Sequence, residues 1–408
     1  MKKYFSLFTV LTAISIIIQA QEEFKYENMS YIRTSDSTAM LKKGYLEGAV
    51  IIPDTVIYNK QKLAVNEIGA GAFLVSYNPK LTSITIPKSV KIIRKQAFSG
   101  QSEITDIYIN GSNIDFESSI FSKRASITRR VHINHFEDLC NNHYAVNITG
   151  STGGSSPLNG SYIYIDGIEV DTIHLKNITT ITDNAFEGVL NNLYLTCNEL
   201  ISIGNYAFFD SNLRHITLPS SLKFIGDAAF KYCYGITNIT IPENLEHIGV
   251  YAFENVNNLT KITWKAKSLQ VDNAPAYSAF YLSSDKLDTL VIDSGVLNIP
   301  QYMFYSSIYT ATPVIISKNK NVPRAFKNSF YALNAKSPLY VPKGTKNDYN
   351  SNVGWNKFTY IHEFELEEST GIETIYSNTS TTNSKIIHNG KLLIIRDGRI
   401  YNVMGQEL

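Results

Sequence analysis

Residues 222–230 read LKFIGDAAF, and the core of that stretch, I-G-x-x-A-F, recurs along most of the chain. Copies end at Phe73, Phe98, Phe186, Phe208, Phe230 and Phe253, and more distant echoes end at Phe280 and Phe304. Arg94 and Thr182 replace the glycine in two copies. Phe73 and Phe98 are 25 residues apart, and the steps from Phe186 to Phe304 are 22, 22, 23, 27 and 24 residues. A repeat of roughly 20–29 residues is the signature of a leucine-rich-type solenoid and is too short for the common helical-pair repeats.

Each copy also carries a short strand of the form L-x-x-I-x-I, as in Leu81-Thr-Ser-Ile-Thr-Ile86, Leu213-Arg-His-Ile-Thr-Leu218 and Ile236-Thr-Asn-Ile-Thr-Ile241. Alternation at Ile-Thr-Ile turns both aliphatic side chains to one face and Thr to the other. Pro87, Pro219 and Pro242 follow these strands. Proline has no N–H to give, so the ladder ends there. One such coil cannot bury its own apolar edges, whereas stacked coils bury them for each other. A Phe at a fixed place in every coil would then form an aromatic column, each ring contributing about 1.5–3 kcal/mol. Ala before Phe keeps the coils close. Gly after Ile is expected to supply a backbone conformation closed to larger residues.

The combination L-x-x-I-x-I-P followed by L-x-x-I-G-x-x-A-F resembles the BspA-like leucine-rich repeats, also called the Treponema pallidum type, over residues 45–365. The resemblance implies a mainly β, right-handed solenoid, with short strands on the concave face and short turns or helical turns on the convex face. Residues 21–365 form the expected solenoid. Within it, 21–67 resemble the N-terminal cap, and 122–165 a longer connecting repeat into which a Gly/Ser-rich loop at 150–160 is inserted. Leu339-Tyr-Val-Pro-Lys-Gly344, with Tyr349 and Trp355, resembles the closing segment. Residues 366–384 are acidic, then Ser/Thr/Asn-rich, and read as a linker. Residues 385–408 read as a small β-hairpin turning at Asp397-Gly398. Its end, Ile400-Tyr-Asn-Val-Met-Gly-Gln406, is similar to C-terminal sorting modules of surface proteins from gut and oral anaerobic Gram-negative bacteria.

At the other end, Lys2 and Lys3 precede a nearly continuous apolar run over 4–18 and the small residue Ala20. That pattern is a secretory signal peptide over 1–20, which places the mature chain at the cell surface or outside the cell. No later stretch is apolar for about 18 residues, so no transmembrane helix is expected in the mature chain. A formal net charge of +1 argues against a nucleic-acid or polybasic membrane partner. Cys140, Cys197 and Cys233 are odd in number and fit no zinc spacing, so they read as buried packing thiols.

Little in the chain points to chemistry. His132 and His135 form an H-x-x-H, but a metal needs ligands that converge in space. Cys140 and His143 are too weak a pair for a nucleophile and base. No metalloprotease, nucleophile-elbow or phosphate-loop motif is present. The expectation is a non-catalytic protein without cofactor or metal. Outward residues of the strands supply the candidate ligand-binding positions: Tyr108, His174, Tyr194, His215, Asn238 and Lys261. The resemblance implies adhesion, through the concave face, to host extracellular matrix or surface proteins or to other bacteria. The alternative is a surface glycan-binding protein for nutrient capture, with Tyr108 and Tyr194 as stacking platforms.

Overall fold

A computed structural model describes residues 22–74, 80–112, 114–117, 120, 128–134, 140, 161–175, 177–269, 278–281, 286–305, 311–365, 372–375, 383–388, 391–396 and 399–402. Side chains of Ile173, His174 and all residues from 372 onward are not among those described. The stretch read as a signal peptide, the Gly/Ser loop at 150–160, and His135 and His143 lie outside the described residues, as does the end of the sorting-like motif.

The chain is a β-solenoid of about 11 turns with almost no helix. The long strands run parallel, coil upon coil. Gly48–Ile51, Leu81–Ile86, Asp106–Ile109, Arg129–Ile133 and Ser161–Ile165 pair in that order. A second ladder holds Thr172–Leu175, Leu193–Cys197 and Leu213–Thr217. A third runs from Asn238–Ile241 through Lys261–Trp264, Thr289–Ile292, Val314–Ser317 and Leu339–Pro342 to Ile361–Phe364. The L-x-x-I ahead of the turn ends in a two-residue strand of its own. Thr180–Ile181, Ser202–Ile203, Phe224–Ile225 and His247–Ile248 make a parallel ladder on a separate edge.

Alternation does what the pattern requires. Ile84, Ile107, Leu195, Ile239 and Ile262 point inward and are buried. Between the two edges runs the phenylalanine column. Phe186, Phe208, Phe230, Phe253 and Phe280 stack at centroid steps of 5.0, 5.3, 4.9 and 4.6 Å, with ring planes within 10° of parallel. Phe304 and Phe330 continue it. Trp355 ends it, 4.8 Å from Phe330, with its indole N–H donated to the Pro323 carbonyl at 2.7 Å. Tyr349 is buried beside Trp355 and donates to the Asn319 carbonyl at 3.0 Å, closing the last coil.

The turn glycines have a different role from the one expected. Gly204, Gly226 and Gly249 do not sit at positive φ. A Cβ on Gly226 would lie 2.6 Å from the Asn205 backbone nitrogen, so glycine is required by the approach of the preceding coil. Side chains hold that approach. Asp183 Oδ1 accepts the Asn205 N–H at 2.7 Å, Asn205 Oδ1 the Asp227 N–H at 2.8 Å, and Asp227 Oδ1 the Val250 N–H at 2.9 Å. Arg94 departs from glycine where the previous coil offers Ala70, which has no side-chain acceptor. The left-handed conformation falls two residues later, at Gln96, Asn184, Tyr206, Ala228, Tyr251 and Tyr302 (φ 51–58°).

At the N-terminus, Glu23–Tyr26, Met29–Arg33 and Thr38–Gly44 form an antiparallel meander that covers the first coil. Thr55–Tyr58 and Gln61–Ile68 form a hairpin whose turn residues, Asn59 and Lys60, both have positive φ. At the far end, Ile372–Ile375, Asn383–His388, Lys391–Arg396 and Arg399–Asn402 form a separate four-stranded antiparallel sheet. Its first strand lies within 366–384, the stretch read as a linker, so the unit is larger than the expected hairpin.

Candidate functional site

Pairing of the long strands fixes which outward residues are neighbours. Asp106 is opposite Arg130, which is opposite Tyr162; Tyr108 is opposite His132, which is opposite Tyr164. Parallel, in-register strands bring equivalent side chains onto one line. Tyr108 and His132 stack at 4.3 Å and 13°, and His132 and Tyr164 at 5.0 Å and 31°. Two tyrosines thus enclose a histidine on the outward face, where Tyr108 is 38% exposed.

Charged groups brace this ladder. Arg130 grips Asp106 with two parallel bonds, Nε to Oδ1 at 2.7 Å and Nη2 to Oδ2 at 2.6 Å. Such a fork is a strong, directional contact. His132 Nε2 lies 3.1 Å from Asp106 Oδ1, and the Thr105 hydroxyl donates to Oδ2 at 2.8 Å. The Arg130 guanidinium, with help from His132 and Thr105, holds the Asp106 carboxyl well below the usual carboxylate range. Tyr164 donates to Glu169 Oε2 at 3.1 Å, from the short return strand Ile168–Glu169. Loss of solvent and the Glu169 carboxylate push the Tyr164 hydroxyl up. Thr105, Thr128, Arg130, Tyr162, Tyr164 and Glu169 line an open depression of about 330 Å³ beside the ladder.

The six sequence candidates fall into separate groups. Tyr108 belongs to the ladder. Tyr194, 46% exposed, is paired with Thr172 on one side and His215 on the other. A bulge at Leu193/Tyr194 sets that register, with His215 Nε2 3.2 Å from Thr217 Oγ1. The backbone of His174 pairs with Thr196, and its side chain lies outside the described residues. Asn238 and Lys261 are partners in the third ladder, and Asn238 Nδ2 donates to Thr237 Oγ1 at 3.3 Å. Further along the same face, Thr289 and Val291 are buried instead of exposed. Val291 packs with Ile316 and Phe364, against the partly buried Val314 and Tyr340.

Arg130, Tyr162 and Tyr164 are absent from the sequence candidates, and His132 is weighed only as half of an H-x-x-H, because residues 122–165 read as a connecting repeat. The signal was present: Arg130-Val-His-Ile133 and Tyr162-Ile-Tyr-Ile165 repeat the spacing of Asp106-Ile-Tyr-Ile109. His132 is held in the ladder. Among the described residues no group of three or more His, Cys, Asp or Glu side chains could hold a metal. Cys140, Cys197 and Cys233 are all buried. Burial pushes Cys197 up to about 11 and Cys233 up to about 12, away from thiolate reactivity.

A family model described as a BspA type leucine rich repeat region matches residues 18–148 and 160–274 in six copies. The chain belongs to that family. No curated protein sequence matches it. Solved structures similar to it include the following three. A leucine-rich cell surface protein from Faecalibacterium prausnitzii shares 17% identity, over 86% of this chain and 96% of its own, with a TM-score of 0.38. The pneumococcal vaccine antigen PcpA shares 16%, over 86% and 99%, with a TM-score of 0.37. A leucine-rich repeat protein from Bacteroides ovatus shares 17%, over 84% and 76%, with a TM-score of 0.34. The BspA-type architecture outlasts the matched region, since the third ladder and the aromatic column run on to Phe364 and Trp355. Among the described residues no helix is long and apolar enough to cross a membrane.

Proposed function

We propose that this BspA-type chain is a secreted or cell-surface, non-catalytic binding protein. Its partners are proteins of the host matrix or of other cell surfaces, met by the outward face of the long strands. The carrying observation is the Tyr108–His132–Tyr164 ladder braced by the Arg130–Asp106 fork. Tyrosine and arginine held rigidly at the centre of a surface are the residue types that dominate protein interfaces, because little rotamer freedom remains to be lost on binding. Glycan stacking on Tyr108 is less well supported here. The inner faces of Tyr108 and Tyr164 and both faces of His132 are occupied within the ladder.

The test is capture of immobilised extracellular-matrix and cell-surface proteins by the mature protein. Tyr164→Ala and Arg130→Ala should each weaken capture at least about tenfold, the loss of a 1–2 kcal/mol hot spot. Capture unchanged in both folded variants would move the binding surface elsewhere on the solenoid.

A further inference from the structure

A second set of aromatic side chains lies along the turn edge, away from the strand face. The residue after the column phenylalanine is Phe209, Tyr281, Tyr305 or Tyr331 in four coils and Lys231 or Glu254 in the two between Phe209 and Tyr281, and the left-handed turn position holds Tyr206, Tyr251 or Tyr302. Together with Tyr232 they form a file of ring contacts that Lys231 bridges between Tyr232 and Tyr251. Tyr206 meets Phe209 at 5.6 Å and 63°, and Phe209 meets Tyr232 at 5.4 Å and 76°. Lys231 Nζ lies over both Tyr232 (5.2 Å) and Tyr251 (5.0 Å). Tyr251 meets Tyr281 at 6.4 Å and 72°, Tyr281 lies 5.7 Å from Tyr305, and Tyr305 lies 5.0 Å from Tyr331. The run spans the coils of Phe208 through Phe330. Its ends are open, Tyr206 being 43% and Tyr331 52% exposed.

We propose that this belt binds a linear, neutral polysaccharide laid along the solenoid axis. Three features select that ligand class. The first is ring geometry. The ring contacts Tyr206–Phe209, Phe209–Tyr232 and Tyr251–Tyr281 are edge-on, at 63–76°, so those faces are met by single edges, whereas Tyr305 and Tyr331 stack at 25° and present the outer face of Tyr331, which is 52% exposed. An aromatic face carries negative charge density, which suits the polarised C–H groups of a pyranose, while phenol hydroxyls exchange hydrogen bonds with sugar hydroxyls. The second is charge: Lys231 pairs with Glu254, so its positive charge is matched on the belt itself. Lys357, at the Tyr331 end, is turned to the backbone, its ammonium donating to the Phe330 and Tyr331 carbonyls at 2.7 and 3.2 Å. The third is shape. A protein partner needs a broad patch of about 800 Å² with an apolar centre and polar rim. The belt is a narrow file of rings, advancing one coil at a time, and a repeating surface suits a repeating ligand.

The experiment is native affinity electrophoresis of the full protein in gels containing hydroxyethylcellulose, laminarin or mannan, with heparin and hyaluronan as acidic polymers. Retardation is expected by at least one neutral polymer and by neither acidic one. Tyr305→Ala and Tyr331→Ala should each raise the dissociation constant at least about tenfold, and Tyr331→Phe, which keeps the ring, should bind within about threefold of the parent. Leu297→Ala, 66% exposed and outside the belt, should run as the parent does. Circular dichroism and melting of each variant separate lost binding from lost folding, and the phenylalanine variant keeps the comparison informative if an alanine variant unfolds. Retardation by none of the neutral polymers, retardation by acidic polymers alone, or full retention in the alanine variants overturns the proposal. So does loss of protein capture in those variants without any polysaccharide retention. Because protein capture on the strand face is a separate readout, failure of either reading leaves the other standing.

Discussion

Two positions in the turn motif carry opposite demands, although both look like spacers. Gly226 is required because the neighbouring backbone leaves no room for a Cβ. Gln96 occupies a left-handed conformation that L-residues adopt only at a cost of about 1–2 kcal/mol, and a real glycine fills the equivalent place at Gly71. The two substitutions should therefore move stability in opposite directions. Gly226→Ala should destabilise by about 1–3 kcal/mol through overpacking against Asn205. Gln96→Gly should stabilise by up to about 1 kcal/mol, since its relief of strain exceeds the extra freedom given to the unfolded chain. Chemical denaturation of both checks this, and a destabilised Gln96→Gly would show that the left-handed turn carries no strain. From sequence alone the two roles are indistinguishable. Tyr, Asn, Gln and Ala do not announce a left-handed backbone, whereas the glycine one place after Ile does attract a conformational explanation. Only the distance between coils reveals the steric one.

At the scale of strands and ladders, the chain was legible wherever its period was regular. Ile84, Ile107, Ile239 and Ile262 face inward as the alternation requires. The same reading stopped at Arg129–Ile133 and Ser161–Ile165, because the long insertion between them hides the period although each strand keeps its local alternation. Register across strands was equally out of reach: a bulge at Leu193/Tyr194 decides that Tyr194 meets His215. The Asp106 cluster lives at this scale and makes its own acid-side prediction. Asp106 has a carboxyl pKa lowered in the folded chain, so its stabilisation is present above the unfolded value, about 3.9. It is lost as pH falls through the lower folded value. The Tm difference between the parent and Asp106→Asn should be widest above about pH 4 and shrink as the solution is acidified further. A difference that stays constant across that range would remove Asp106 as its source.

Over the whole molecule, continuity is uneven. The short-strand ladder and the phenylalanine column pass without interruption from Phe208 to Phe253. The long-strand hydrogen bonds do not: among the described residues, Leu213–Thr217 closes one ladder and Asn238–Ile241 opens the next. A stack held by nearest-neighbour contacts opens first where those contacts are fewest. Hydrogen exchange followed by mass spectrometry should find the amides of Asn238 and Thr240 less protected than those of Leu290 and Ile292, and equal protection would argue against a weak joint. The joint lies between the strand-face ladder at Tyr108 and most of the tyrosine belt. Elsewhere the coils repeat the same handshake: Asp183 offers Asn205 what Asn205 offers Asp227. A coil whose upper and lower sides match is an interchangeable part. Duplication or loss of one such unit would lengthen or shorten the protein without a new core, so its span and the length of its ring file can change by recombination alone.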